Sequence, residues 1–178
     1  PVSGNPMILK RLFQRSPAPE RSSYEAIVAA ARHPVFYAEW GVPDTLDGRF
    51  DMIALHTFLV LDRLKGTEQP FRQALEDELF RDMDRSLREM GVGDLSVGKK
   101  VRKMAEVFYG RVAAYDTAIA GPEDALEAAI ARNIFPDGHD GLGPRRLSAY
   151  VMDQRAHLAS QSAGAIAAGS VHFREPMP

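Results

Sequence analysis

The sequence predicts an all-α fold of about six or seven helices packed as a single globular domain. Apolar residues recur at intervals of three or four along several long segments, as they do on one face of a helix. No segment shows the alternation of β-branched and polar residues that is typical of strands. The 178 residues, of which 45% are hydrophobic and 26% charged, suffice for one hydrophobic core and are few for two. We therefore expect one domain without internal repeats.

The composition excludes several classes of function. Because the chain has no cysteine, disulfide scaffolds, thiolate zinc sites, iron–sulfur ligation and cysteine nucleophiles are excluded. The formal net charge of −2 gives no global field toward nucleic acid, so no direct DNA binding is expected and any binding to anions must be local. No run approaches the roughly 18 apolar residues of a membrane span. We expect a cytoplasmic protein.

The amino-terminal residues divide into two parts. Pro1–Pro6 are interpreted as residues left by recombinant expression. The following segment, 7–16, has the pattern of a short basic amphipathic helix that ends before two prolines. This pattern favours contact with the inner face of the cytoplasmic membrane or with a partner groove, and the alternative is packing on its own domain. The candidate membrane-contact residues are Lys10, Arg11, Leu12 and Phe13.

Two helices are predicted in the next part of the chain. Ser22 and Glu25 form a capping-box pattern that predicts a helix ending near Arg32. The stretch 35–48, rich in Gly, Pro and Asp, is interpreted as an ordered loop. The segment 50–64 carries apolar residues on two faces, which predicts a central helix buried nearly all round.

The second half of the chain predicts two long helices, one shorter helix and a last helix. Phe71–Met90 is the clearest helix, and Val97–Ile119 forms a second one with Ser96 as candidate N-cap. A shorter helix, 123–134, precedes a loop at 135–144. The last helix begins at Leu147 and passes into the small residues 160–168, after which 169–178 forms a tail.

A short segment between the two long helices has the spacing of a phosphate-binding loop. Gly93–Lys100 matches G-x-x-x-x-G-K, but Lys100 replaces the hydroxyl residue that ligates magnesium, and the segment follows a helix instead of a strand. We therefore expect a helix–turn–helix connection. Four cations begin the second helix, where the helix dipole disfavours them, so either an acidic partner or ligand offsets them or they form a solvated face. They are Lys99, Lys100, Arg102 and Lys103.

The histidines predict no catalytic or metal site by themselves. His56 lies on the buried helix and is interpreted as a core histidine with satisfied hydrogen bonds. Asp153 and His157 share a helix face, and with His139 they define one alternative function, a metal-dependent hydrolase. No G-x-S-x-G elbow or H-E-x-x-H pair is present. No catalytic residue, metal or cofactor is therefore predicted.

A second alternative function is a lipid- or small-molecule-binding helical domain. It requires an enclosed apolar pocket. The candidate lining residues are Phe58, Phe108 and Tyr109.

Three strings carry a resemblance to a known family. They are WGVPDTLDGRFDMI at 40–53, FRDMDRSLREMGVGDLSVGKKV at 80–101 and FYGR at 108–111. With these strings the chain resembles the ubiquinol–cytochrome c chaperone family and looks like a bacterial member, over a domain assigned to residues 20–168. The middle string is distinctive because its charges and glycines follow a fixed order that amphipathicity alone does not require.

The resemblance implies a non-enzymatic assembly factor. Mitochondrial members of this family help newly made cytochrome b to reach respiratory complex III, together with a small partner protein and in contact with the ribosome. The implied partners are therefore cytochrome b or another membrane-protein client, a small helper protein and the ribosome. A client groove would be served by adaptable methionines, although the helical phase of Met83, Met90 and Met104 also fits core packing.

Two segments combine the charge pattern with the resemblance and form the candidate partner-binding surface. One comprises the end of the first long helix and the basic turn after it, and the other begins the central helix. The candidate residues are Asp82, Asp84, Arg88, Asp94, Lys99, Lys100, Arg102, Lys103 and Arg49. In the second segment the alternative is that the charged residues cap and lock the central helix; these are Asp44, Asp47, Arg49 and Asp51.

Overall fold

The computed structural model describes residues 17–177, which form helices and, within that range, no β-strand. The all-α prediction is confirmed. Two of the helices, α2 and α8, have five residues each, and the others have ten or more. The helices are α1 Pro19–Ala31, α2 Pro34–Ala38, α3 Leu46–Arg63, α4 Gln69–Glu89, α5 Asp94–Ile119, α6 Ala125–Ile134, α7 Leu142–Ala159 and α8 Ala163–Ala167.

Helix α3 is the centre of the fold, as predicted. Every residue from 50 to 61 is buried, because α1, α5, α6 and α7 all pack against this helix. Helix α4 packs against α1 and α5, and α6 joins α5 to α7. The two apolar faces seen in the sequence of α3 thus contact different helices on different sides.

The predicted N-caps of α1 and α5 are wrong. Helix α1 begins at Pro19, whose fixed φ suits the first helical position, so Ser22 lies inside the helix and its amide donates to the Ala18 carbonyl at 3.0 Å. Helix α5 begins at Asp94, and the Ser96 amide donates to the Gly93 carbonyl at 2.8 Å. The residues with phosphate-loop spacing are therefore helical from Asp94 onward.

The stretch predicted as a loop at 35–48 holds more helix than expected. It contains α2 and the first residues of α3, which leaves an ordered connection at 39–45. Thr45 is the N-cap of α3, since its hydroxyl accepts the Gly48 amide at 3.1 Å. A Cβ on Gly48 would lie 2.0 Å from the Pro43 carbonyl oxygen, so the glycine permits the close return of the chain.

The predicted loop at 135–144 is also too long. Helix α7 begins at Leu142, and Pro144 lies in its first turn, where the missing amide hydrogen is not needed.

The tail after α8 is held on the domain by two glutamines. Buried Gln154 accepts the Arg174 amide at 3.0 Å and donates to the Arg174 carbonyl at 3.1 Å. Gln161 makes the same pair of bonds with His172, at 3.0 and 2.7 Å. Val171 is buried in the core, so the tail covers part of the domain.

His56 is a core histidine, as predicted. Its Nδ1 lies 2.8 Å from the Met52 carbonyl, which can only accept, so Nδ1 carries the proton and Nε2 accepts from the Tyr150 hydroxyl at 2.9 Å. Burial lowers the pKa of His56 to about 4. The imidazole is therefore neutral in the folded protein and links α3 to α7.

Candidate functional site

Most of the predicted partner-binding residues lie on one helical hairpin, formed by α4 and α5. The two helices pack against each other and are joined by residues 90–93. Gly91 adopts a positive φ of 83° after the last turn of α4, which allows the chain to reverse. Leu87 and Val97 are buried on either side of the connection, so apolar packing holds this end of the hairpin.

Arg88 connects the two helices of the hairpin through ion pairs. Its guanidinium contacts the Asp84 carboxylate one turn earlier on α4 and the Asp94 carboxylate in the first turn of α5. All three side chains are exposed to solvent by a third or more. The structure therefore brings these three predicted residues together, as an exposed charged network on the hairpin.

Asp82 lies on a different side of α4 from this network. Its carboxylate accepts the Tyr24 hydroxyl of α1 at 2.9 Å and pairs with Arg85. One turn earlier, the buried carboxylate of Glu78 contacts Arg81 and lies 3.4 Å from Arg21 of α1. Both carboxylates face a groove of about 340 Å³ between α1 and α4.

The residues of this α1–α4 groove are both charged and apolar. Sequence reasoning missed Tyr24 and Glu78, although position 78 follows Leu75 by three and so falls on the apolar face of α4, a signal for a buried carboxylate. Burial and the neighbouring Asp82 raise the pKa of the Tyr24 hydroxyl well above its usual value, which keeps it a donor. The groove is lined by Arg21, Tyr24, Glu25, Val28, Ala29, Arg32, Glu78, Asp82 and Arg85.

The four predicted cations lie in the first three turns of α5 and are exposed, as a charged face requires. Lys103 lies 3.7 Å from Glu106, whereas the other three make no ion pair with a carboxylate of residues 17–177. Two exposed apolar side chains, Met90 and Leu95, precede them in the chain, around the connection between α4 and α5. We refer to this set as the basic tip, and it comprises Met90, Leu95, Lys99, Lys100, Arg102 and Lys103.

The methionines divide between core and surface. Met83 is buried and Met104 packs partly buried against the core, so both fit the core interpretation. Met90 is 53% exposed. Of these three methionines, only Met90 is therefore available to a partner.

Arg49 lies apart from the hairpin, beside α2. Its guanidinium pairs with Asp44 at 2.6 Å, and both side chains are exposed and line a cavity of about 640 Å³ with Arg32 and Tyr37. The alternative that the charged residues cap and lock α3 is correct only in part. The N-cap of α3 is Thr45 and Asp47 is exposed, so only the buried Asp51 fits the locking role.

Asp51 forms a buried ion pair with Arg111 of α5. The Arg111 Nε lies 2.7 Å from Oδ1 of Asp51, and another guanidinium nitrogen donates to the Asn133 carbonyl of α6 at 3.2 Å. Burial raises the pKa of Asp51 to about 6, and the Arg111 charge acts in the opposite direction. The pair joins α3, α5 and α6, and its two members come from two of the strings that carry the family resemblance.

The rings proposed for a small-molecule pocket are packed against other rings. Phe58 lies 5.6 Å from Tyr115 between ring centroids, and Phe108 lies 5.7 Å from Phe80. Phe58 and Phe108 belong to the hydrophobic core, whereas Tyr109 is half exposed and donates to Glu76. These three residues therefore do not line a common apolar pocket.

The residues of the hydrolase alternative have other contacts. Asp153 pairs with Arg174 of the tail at 2.7 Å, and the His139 Nδ1 accepts the Gly141 amide at 3.0 Å in the loop before α7. Within residues 17–177, no three His, Asp or Glu side chains are grouped so that they could hold a metal ion.

The candidate membrane-contact residues, Lys10, Arg11, Leu12 and Phe13, lie outside the described residues, as does the helix predicted at 7–16. Of the helices between residues 17 and 177, none has the length and apolar character needed to cross a bilayer.

Comparison with known proteins gives one consistent set of relatives. A family model described as "Ubiquinol-cytochrome C chaperone" matches residues 38–173. Ubiquinol-cytochrome-c reductase complex assembly factor 1 of Xenopus laevis is 26% identical over 131 residues, which cover 72% of this chain and 64% of that protein. The Mus musculus protein of the same description is 26% identical over 145 residues, which cover 78% and 48%. The chain thus spans about half to two thirds of the length of these curated relatives.

A solved structure matches over nearly the whole fold. The crystal structure of the Cbp3 homolog from Brucella abortus superimposes with a TM-score of 0.79 at 44% sequence identity. The match covers 95% of this chain and 96% of that one. The helical arrangement described above is therefore shared with a protein of similar length.

Proposed function

The chain belongs to the ubiquinol-cytochrome C chaperone family, and from this we propose that it is a non-enzymatic assembly chaperone of the ubiquinol–cytochrome c reductase complex, with cytochrome b as its client. One observation carries the proposal. The family match at 38–173 takes in the central helix, both helices of the charged hairpin and the buried Asp51–Arg111 pair, whereas α1 lies outside it.

The proposed client surface has two parts, which lie on different sides of α4. One part is the Arg88 network with Asp84 and Asp94, and the other is the α1–α4 groove that Asp82 faces. A groove of about 340 Å³ takes a few side chains rather than a whole helix. The mixed lining fits an amphipathic segment or a polar loop of the client, whose charged side chains exchange partners with the exposed ion pairs at little cost.

A small helper protein and the ribosome are further proposed partners, by the same family membership. Arg49 and its neighbour Asp44 form a second exposed charged site, beside α2, which is separate from the client surface and available to such a partner.

Site-specific crosslinking in the host organism tests the client and its surface together. A photoreactive amino acid replaces Asp84 on the network or Ala29 in the groove, and exposed Arg132 on α6 serves as the control position. We expect a crosslink to cytochrome b from positions 84 and 29 and none from position 132. Equal crosslinking from all three positions would contradict the proposed surface.

Deletion of the gene tests the function independently of the surface. We expect loss of the haem b signal of the ubiquinol–cytochrome c reductase complex, with other respiratory complexes retained, and recovery on expression of the wild-type chain. The variant D84K/R88E keeps the ion pair within α4 while reversing the charges shown to a client, and we expect it to complement poorly. A deletion strain with a normal level of the complex would overturn the proposed function.

A further inference from the structure

We propose that the basic tip of the hairpin docks on the surface of an anionic lipid bilayer. The tip is the part of α4 and α5 around their connection, and it combines exposed cations with exposed apolar side chains. The proposal concerns a contact of this chain with lipid, so it stands whether or not cytochrome b is the client.

The charges of the basic tip are unbalanced within the described structure. Lys99, Lys100 and Arg102 form no ion pair with a carboxylate of residues 17–177, while Asp94 at the start of α5 is already engaged by Arg88. Lys99 and Arg102 are three positions apart on this helix, and Lys99 and Lys103 are four apart, so their like charges repel unless an anion is close. A surface rich in phosphate groups supplies that anion.

The apolar side chains distinguish a bilayer from other anionic surfaces. Leu95 in the first turn of α5 is 101% exposed, and Met90 at the start of the connection is 53% exposed. Leu95, Lys99 and Arg102 are spaced by four and three residues, so they share one outer face of α5. An apolar side chain flanked by cations gains free energy by entering the boundary between headgroups and acyl chains, while the cations stay among the headgroups.

The same tip is poorly suited to RNA. Nucleic-acid surfaces of this kind use aromatic side chains on which bases stack. The nearest exposed aromatic along α5, Tyr109, lies ten residues beyond Lys99 and donates its hydroxyl to Glu76 at 2.6 Å. Toward the middle of α5 the outer face becomes acidic at Glu106, which limits the lipid-facing region to the end of the hairpin.

Vesicle cosedimentation of the purified full chain tests the proposal. We expect binding to vesicles of phosphatidylcholine with added phosphatidylglycerol, and little binding to phosphatidylcholine alone. Because each cation near such a surface contributes about a fivefold factor in affinity, K99Q/K100Q is expected to weaken binding by more than tenfold. The matched control R132Q/R145Q removes two exposed cations of α6 and α7 and is expected to bind like the wild type.

Two more variants separate a contact made by the tip from one made by the amino-terminal segment. L95W places an indole at the exposed apolar position, and we expect its emission to shift to the blue with anionic vesicles, since buried Trp40 cannot report there. K10Q/R11Q removes two cations of the amino-terminal segment. In that background K99Q/K100Q is expected to weaken vesicle binding as well.

The proposal is overturned if K99Q/K100Q and R132Q/R145Q weaken binding equally, or if the L95W emission does not change. It is also overturned if the tip substitutions abolish binding to polyuridine but leave vesicle binding intact, because the tip would then be an RNA surface. In each of these cases the crosslinking and deletion results for cytochrome b remain separate, so failure of the lipid contact is distinguishable from failure of the proposed function.

Discussion

Replacing Arg111 with alanine should destabilise the protein and make its stability depend on pH in a specific way. Asp51 is 4% exposed and Arg111 is its ion-pair partner, so the substitution leaves a buried carboxylate alone. Removing one member of a buried pair costs about 3–5 kcal/mol, and we expect the lower end, about 3 kcal/mol near pH 7, because Asp51 can escape by protonation. The lost bond to the Asn133 carbonyl is included in this figure.

The pH dependence follows from the pKa of Asp51. In the wild type this pKa is about 6, and without Arg111 it rises further, so at about pH 5 the carboxyl is protonated in both proteins. The destabilisation by Arg111→Ala is therefore smaller at about pH 5 than at about pH 7. The difference is about 1.4 kcal/mol, because over the one pH unit between 6 and 7 only the variant keeps a proton on folded Asp51 that the unfolded chain releases. Urea unfolding followed by far-UV circular dichroism at the two pH values measures both free energies.

Two controls accompany this experiment. Arg132→Ala removes an exposed arginine and should change the free energy of unfolding by less than about 0.5 kcal/mol. The double variant Asp51→Leu/Arg111→Met replaces the pair with apolar side chains and should recover most of the loss. A cost of Arg111→Ala that equals the Arg132→Ala control, or that does not change with pH, would refute the proposed role of the pair.

Three further predictions concern other parts of the fold. Because the pKa of Asp51 is raised, the folded state binds more protons than the unfolded state between pH 3.8 and about pH 6, so stability falls as pH rises through that window. Because the pKa of His56 is lowered, the unfolded state binds more protons between pH 6.5 and about pH 4, so stability falls as pH drops through that window. The two effects oppose each other, so Asp51→Asn should show a steeper loss of thermal midpoint on acidification than the wild type, and parallel profiles would contradict this. Gly48→Ala should lower the thermal midpoint strongly because its Cβ meets the Pro43 carbonyl, while Gly110→Ala, at an open helical position, should keep or raise it. Arg49→Ala should leave the urea midpoint unchanged, since its ion pair with Asp44 is exposed, and a clear decrease would restore the locking role for that residue.

The sequence was sufficient for the central helix and insufficient for its polar contacts. Apolar residues on two faces of 50–64 identify a buried helix, because burial on several sides leaves no polar stripe. The partner of Asp51 could not be read in the same way, since Arg111 lies 60 positions later and nothing local distinguishes it from Arg102, the other arginine of α5. Periodicity reports which face of a helix is buried, and not which distant residue it meets.

The helix starts and the charged surface show the same limit. Ser22 and Ser96 are good N-cap residues, but Pro19 and Asp94 begin the helices earlier, so a local signal lost to a stronger one nearby. The spacing of Asp82 and Asp84 predicts that they point apart, and the structure adds that Asp82 faces α1. That assignment required the packing of α1 on α4, which the sequence pattern does not contain.

The central position of α3 also has a consequence for biosynthesis. Consider a growing chain that has emerged from the ribosome up to the end of α4. Of the four helices that pack against α3, only α1 is then available, because α5, α6 and α7 have not yet emerged. More than half of the remaining chain must then be synthesised before residues 50–61 and the carboxylate of Asp51 are fully buried. A protein proposed to protect an incomplete membrane subunit therefore passes, during its own translation, through a stage in which its own central helix is not yet fully buried.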